Sequence, residues 1–294
     1  MHIPEYKNYL TLEKHYSVHT SESYLRDLDQ FKEFLEDHDS ALGNATYNMV
    51  RQWMAQLMEE GMSSRSVNRK MSSLKSYFRF LRNQGFVEHN IMTLHKSLKV
   101  SKKIQVPFSQ KEVSELLDTD YDPLSFSEVR DRALIELLYV SGMRRAELLS
   151  LTLASVDLEA SRLNIIGKRN KQRIVPLMNS TIKVMQNYLK IREVVDLYND
   201  QSFFLTEKGK PIYASLIYRI VNHYFKKVSL KTKVSPHVLR HTFATHLLDK
   251  GADLNAIKEL LGHASLASTQ VYTHTSMQAL KNVHAAAHPR NKKS

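Results

Sequence analysis

His237-Val-Leu-Arg-His-Thr-Phe-Ala-Thr-His246 is the stretch on which the reading of this chain turns. It has the spacing of a helix, and His237 lies three residues before Arg240, so both fall on one helical face. Downstream come Leu260-Leu-Gly-His263 and then Tyr272. Upstream, Arg144 sits in Ser141-Gly-Met-Arg-Arg145 and Lys168 in Gly167-Lys-Arg-Asn-Lys171. Two arginines, a lysine, two histidines and a tyrosine form a set suited to breaking and rejoining a phosphodiester without a metal or ATP, so no cofactor is expected.

The chemistry explains the residue types. Phosphate charge must be neutralised as the transition state forms, and the planar, permanently charged fork of arginine suits that task at Arg144 and Arg240. A lysine at a turn, Lys168, is placed to protonate a departing alkoxide. Histidines titrating near neutrality, His237 and His263, accept or relay a proton. The phenol of Tyr272, with an ordinary pKa near ~10, attacks only once its proton is removed or its oxyanion is stabilised by cations. Each residue alone also has a plain structural reading: Tyr272 is one of fourteen tyrosines, and Arg144-Arg145 reads as a charge pair at a helix start. Lys168 shares its hairpin with Arg169, Lys171 and Arg173, any of which reads as a simple phosphate contact. His237 and His241 are spaced as zinc ligands, but the glutamate of a His-Glu-x-x-His motif is missing and the adjacent Arg240 opposes a cation.

Around this set the chain divides. Residues 1–98 read as a helical bundle. Thr20 is the expected N-cap of a helix carrying Tyr24, Leu28, Phe31 and Leu35. Val50, Trp53, Leu57 and Met58 mark a second helix closed by Gly61, and Val67, Met71, Leu74, Phe78 and Leu81 a third closed by Gly85. Tyr6 and Leu10 indicate a shorter one before them. Lys70, Lys75, Arg79 and Arg82 fall on polar faces, read either as solvated charges or as DNA contacts. Residues 99–107, ending in Val106-Pro107, lack a helical stripe and read as a linker. Extended, it spans about 30 Å, near the ~34 Å turn of a DNA duplex.

Residues 108–294 read as a mixed domain, mainly helical with a small β-sheet. Ser109 is expected to cap a helix through Leu117, and Asp131–Ser141 to form a buried helix ending at Gly142. Arg162-Leu-Asn-Ile-Ile166 and Arg173-Ile-Val-Pro176 have strand character and form a hairpin with a basic tip. Further helices are expected at 179–194, 213–228, 236–249, 253–261, 265–273 and 276–287.

Composition bounds the partners. The net charge is +12, which favours a polyanion, with nucleic acid ahead of an anionic membrane surface. No apolar stretch approaches the ~20 residues of a membrane span, and the N-terminus has no secretory pattern. The absence of cysteine excludes disulfides, thiolate catalysis and cysteine-ligated zinc, and fits a cytoplasmic protein.

Taken together, the ordered motifs resemble the tyrosine recombinases, the phage-integrase-like family. Ser141-Gly-Met-Arg-Arg-Ala-Glu-Leu148 is similar to the family's segment around its first catalytic arginine, implying that role for Arg144. Gly167-Lys-Arg-Asn-Lys-Gln-Arg-Ile-Val-Pro176 resembles its β-hairpin, implying Lys168 as general acid, with Arg169 where many relatives have glycine. His237 and Arg240 match its His-x-x-Arg box, Leu260-Leu-Gly-His263 its second histidine and Thr269-Gln-Val-Tyr-Thr-His274 its nucleophile, Tyr272. The start of the chain and its ending, Leu280 to Arg290, are most similar to the Xer type, which resolves chromosome dimers.

The resemblance implies a helical core-binding domain and a mixed catalytic domain clamped on double-stranded DNA at a specific site. It also implies a homo- or hetero-tetramer with a related recombinase, a last helix (Met277, Leu280, Val283) exchanged between protomers, and a septal DNA translocase as a further partner at the nucleoid. The competing readings are an integrase of a mobile element, a type IB topoisomerase, a regulator that binds DNA without cutting it, and a phosphate-binding metabolic enzyme.

Overall fold

The computed structural model describes residues 2–100, 106–167, 172–229 and 235–262. They fall into two compact units, residues 1–103 and 104–294. Among the described residues no helix is long and apolar enough to cross a membrane.

The first unit is a bundle of α1 (Ile3–Asn8), α2 (Val18–Glu36), α3 (Tyr47–Glu59) and α4 (Ser64–Asn83). α1 continues through a π-helical turn at Tyr9–Glu13, which joins Tyr6 and Leu10 into one apolar edge. Leu28, Phe31 and Leu35 of α2, Val50, Trp53 and Leu57 of α3, and Val67, Met71, Leu74 and Leu81 of α4 close one core, as their helical spacing predicts. Met58 departs from that spacing and is 41% exposed. α2 begins three residues earlier than its sequence indicates. Ser17, not Thr20, is the N-cap, because its extended backbone lets its hydroxyl accept the Thr20 N–H.

A second departure concerns Lys70. Helical phase places it beside the core rather than on a solvated face, and it is 5% exposed. Asp27, itself buried on α2, accepts from Lys70 Nζ at 3.3 Å, from both terminal nitrogens of Arg69 at 2.5 and 2.8 Å, and from the Ser73 hydroxyl at 2.7 Å. Lys70 also donates to Gln30 and lies over the Trp53 ring. Lys75 is half-buried, whereas Arg65, Arg69, Arg79 and Arg82 stand exposed on α4.

The second unit is built on α6 (Phe126–Ser141), which is buried on every side from Val129 onward except for a half-buried Asp131. A helix buried on all sides belongs in the middle of a fold, and the charged Arg130, Arg132 and Glu136 of α6 are held there in ion pairs. Here α8 (Asn179–Val195) and α10 (Pro236–Asp249) pack against it, and α5 (Gln110–Leu117) packs with α9 (Ala214–Val228). Ser109 caps α5 in a full capping box with Glu112. α7 (Arg145–Leu149) is a short turn that apolar periodicity does not reveal, and α11 (Leu254–Leu261) completes the described helices.

Among the described residues the sheet has three antiparallel strands in the order β1 (Val156–Asp157), β2 (Arg162–Ile166), β3 (Gln172–Pro176). The pairing of Leu163 with Val175 and Ile165 with Arg173 sets all four on the buried face. β1 has only two residues, too few to show alternation. The hairpin tip with Lys168, Arg169 and Lys171, and the expected helices at 265–273 and 276–287, lie outside the described residues.

Asp27 holds two cations that would otherwise face each other beside the apolar core. Asp27→Ala should therefore destabilise the first unit by about 3–5 kcal/mol, the penalty of leaving a buried ammonium unpaired. Urea denaturation of the full chain, followed through the single Trp53, measures this; a change within error would show that the network is not structural.

Candidate active site

α6 stops at Gly142, whose left-handed backbone (φ +54°) turns the chain. A Cβ there would lie 2.5 Å from the Phe243 ring and 2.7 Å from Leu261, so both conformation and space require glycine. Two residues on, Arg144 is the extended N-cap of α7. Its backbone N–H donates to Glu147 Oε2 at 2.7 Å and its Nη1 to Glu147 Oε1 at 2.8 Å. Its Nη2 lies 3.4 Å from the Gly262 carbonyl, and the side chain is 40% exposed.

Arg240 approaches the same place from α10. Nη1 donates to the Gly142 carbonyl at 2.6 Å and Nη2 to the Leu261 carbonyl at 2.5 Å. The guanidinium thus ties the end of α6 to the end of α11, bridging residues 98 and 21 positions apart in sequence. Burial, and then the neighbouring charges of Arg144 and Arg173, push its pKa down to about 10, so it stays cationic at neutral pH. His237 stands exposed near the start of the same helix.

Arg173 corrects the expectation of a surface phosphate contact. Strand alternation turns it inward, where it is 4% exposed. Its Nη1 donates to Glu147 Oε1 at 3.0 Å and its Nη2 to Oε2 at 2.8 Å. Glu147 carries one sequence signal, its place three residues after Arg144, the spacing of an N-terminal cap. Burial pushes its carboxyl pKa up, but the hydrogen bonds from Arg173 and from the Arg144 backbone and side chain outweigh this and hold it below the ordinary range.

Thr242 and His246 of the same stretch are structural. The Phe108 N–H donates to Thr242 Oγ1 at 3.0 Å. His246 Nε2 lies 2.8 Å from the Phe108 carbonyl and Nδ1 2.9 Å from the Tyr139 hydroxyl. A carbonyl only accepts, so Nε2 carries the proton and Nδ1 accepts from Tyr139. Burial lowers the His246 pKa despite the hydrogen bond to Phe108. One helix thus presents Arg240 to the site and holds the start of the second unit.

Of the residues expected in the site, Arg144 and Arg240 converge on the turn Leu261–Gly262. His263 follows that turn in sequence; it, Tyr272 and Lys168 lie outside the described residues. The described site is a cluster of three guanidinium groups, one carboxylate and the Gly142, Leu261 and Gly262 carbonyls, with an excess of positive charge.

Because the Glu147 pKa is depressed on folding, its contribution to stability is fully present above the unfolded value, ~4.3, and is lost as pH falls through the folded value. Glu147→Gln should be less stable than the parent at pH 7, with the difference narrowing below about pH 4.3. Urea midpoints between pH 7 and 3 check this; a constant difference across that range would contradict it.

Comparison with known proteins places the chain in a family. The Phage integrase family model matches residues 107–279, and a phage integrase N-terminal SAM-like domain model matches residues 3–85. Tyrosine recombinase XerC of Pelotomaculum thermopropionicum is 35% identical over 304 residues, covering 99% of each chain. XerC of Bacillus subtilis is 37% identical, covering 96% of this chain and 94% of that protein. XerD of Staphylococcus epidermidis is 34% identical, covering 98% of each. Among solved structures, XerH recombinase bound to its difH substrate in a pre-cleavage complex is 26% identical with a TM-score of 0.68, covering 89% of this chain and 78% of that one. A lambda integrase dimer on a core site, 17% identical with a TM-score of 0.68 over 92% of this chain and 97% of that one, shares the fold. The chain belongs to the phage integrase family, the tyrosine recombinases.

Proposed function

We propose that this protein cuts and rejoins double-stranded DNA at a specific site through a covalent phosphotyrosine, and that its role is the Xer one, resolution of chromosome dimers. The observation that carries the reading is the convergence of Arg144 and Arg240 on the turn before His263, in a chain aligned almost end to end with Xer recombinases.

In this reading the Tyr272 phenolate attacks the scissile phosphorus. The bond to the 5′ oxygen breaks, and that oxygen takes a proton from Lys168. Arg144 and Arg240 hold the non-bridging oxygens, and His237 and His263 handle the phenol proton and the phosphate. The 3′-phosphotyrosine keeps the energy of the ester, so a 5′-hydroxyl of the partner strand reverses the step and releases the tyrosine. Lys168 enters on sequence similarity, as do His263 and Tyr272.

Residues 1–98 are the proposed core-binding domain, 99–107 the linker and 108–294 the catalytic domain. The exposed Arg65, Arg79 and Arg82 of α4, with Lys75, are the proposed phosphate contacts of the first unit, and Arg169 and Lys171 those of the hairpin. Lys70 and Arg173 are spent on buried carboxylates and take no part in contacting DNA. Strand exchange uses a tetramer on two sites, with an exchanged C-terminal helix and a related recombinase as partner. A septal DNA translocase and a place at the nucleoid complete the proposal.

Incubating the protein with genomic DNA fragments and sequencing those left covalently attached should recover one recurrent site. On a nicked duplex carrying that site, Tyr272→Phe should bind as the parent does and form no adduct; an adduct at the parental rate would remove Tyr272 from the mechanism. Affinity should fall by about 10³–10⁵ between 50 and 200 mM salt, the loss expected when several phosphates are neutralised. A flat titration would rule out a DNA clamp.

A further inference from the structure

Glu147 lies beside Arg144, and a carboxylate facing an arginine normally closes on it as a bidentate pair. Such a pair would neutralise Arg144 and occupy its fork. In this protein that closure is prevented. Arg173 takes one position on each carboxylate oxygen, at 3.0 and 2.8 Å. The Arg144 backbone N–H takes a second position on Oε2, leaving Oε1 for a single contact from the Arg144 side chain. Each oxygen then accepts two hydrogen bonds, the capacity of a carboxylate.

Arg144 is therefore anchored at one nitrogen while its second points toward the Gly262 carbonyl on the open side, and the side chain stays 40% exposed. Three guanidinium groups against one carboxylate leave the cluster cationic. Gly262 fits the same arrangement: a Cβ there would sit 3.3 Å from Arg173 Nη1, so glycine lets the segment before His263 pass close over the buried pair.

We propose that Arg173 is a positioning residue for Arg144. By holding Glu147 in a buried bidentate pair, it keeps the Arg144 guanidinium oriented and its second terminal nitrogen available to the scissile phosphate. The role rests on the recombinase reading above. It differs from a DNA contact, because Arg173 spends its charge in a buried ion pair with Glu147 and its side chain is 5% exposed. It differs also from simple stabilisation, because its effect on cleavage passes through one charge at the phosphate.

That difference is measurable. In a methylphosphonate linkage one charged non-bridging oxygen is replaced by a methyl group, which lessens the need for an arginine. The test compares single-turnover adduct formation by the full-length protein and Arg173→Met on two nicked duplexes carrying the trapped site, one with a phosphodiester at the cleavage point and one with a methylphosphonate. The expected loss is on the order of 10²-fold or more on the phosphodiester and under about 10-fold on the methylphosphonate, with DNA affinity unchanged.

Equal losses on both substrates, or no loss on either, would overturn the positioning role. Should Arg173→Met fail to fold, Arg173→Lys keeps the charge but not the fork, and the same difference between substrates is expected at smaller size. The double variant Glu147→Gln/Arg173→Met removes the carboxylate that would close on Arg144 and should cleave the phosphodiester faster than Arg173→Met alone; a slower double variant would count against the role. Absence of any adduct from the unaltered protein overturns the recombinase reading and this role with it, whereas a normal parental adduct with equal losses overturns this role alone.

Discussion

One carboxylate organises the described part of this site. Glu147 is 5% exposed and is shared by Arg144 and Arg173, so the turn after α6 and the third strand of the sheet meet at a single charge. A buried carboxylate is costly unless it is paired and hydrogen-bonded throughout. Here every position on Glu147 is filled, and the cost is offset where it also fixes the direction of a half-exposed arginine. Arg240 does the corresponding work with backbone groups, gripping Gly142 and Leu261. The two arginines are set by different means, one by a counter-charge and one by carbonyl dipoles, and both face the same turn.

The fold supplies the rigidity this needs. α6 is buried on nearly all sides, and its last residues deliver Gly142 and Arg144. α10 packs along it and reaches the site with Arg240, while Thr242 and His246 secure Phe108, where the second unit begins. Substituting a larger residue at Gly142 would push on Phe243 and Leu261 together, which explains why a glycine stands between a buried helix and Arg144. The first unit repeats the theme with Asp27, which absorbs Arg69, Lys70 and Ser73 while other basic side chains of α4 remain exposed.

Much of this was legible from residue order. Apolar spacing located the principal helices, strand alternation located the hairpin, and the joint order of Arg144, His237 and Arg240 pointed to phosphodiester chemistry. What escaped notice were contacts between residues distant in sequence. Lys70 reads as a solvated charge or a DNA contact in the sequence because its partner, Asp27, lies 43 positions away on another helix. Arg173 was read with its basic neighbours, although its alternation with Val175 already placed it on the inward face. Glu147 was one acidic residue among 30 and had no apolar pattern around it. Long-range charge pairing leaves little trace in periodicity, and these are the contacts that refine the site.

A family-level chemistry is thus joined to a particular electrostatic arrangement: two arginines that converge on one turn, with a third held on Glu147. The most direct test is a crystal structure of the protein on a nicked duplex carrying its trapped site. The account predicts that Arg144 and Arg240 both lie within about 3 Å of oxygens of the same phosphate, while Arg173 remains on Glu147. A scissile phosphate seated away from either arginine, or an Arg173 that has left Glu147 to contact the DNA, would contradict it.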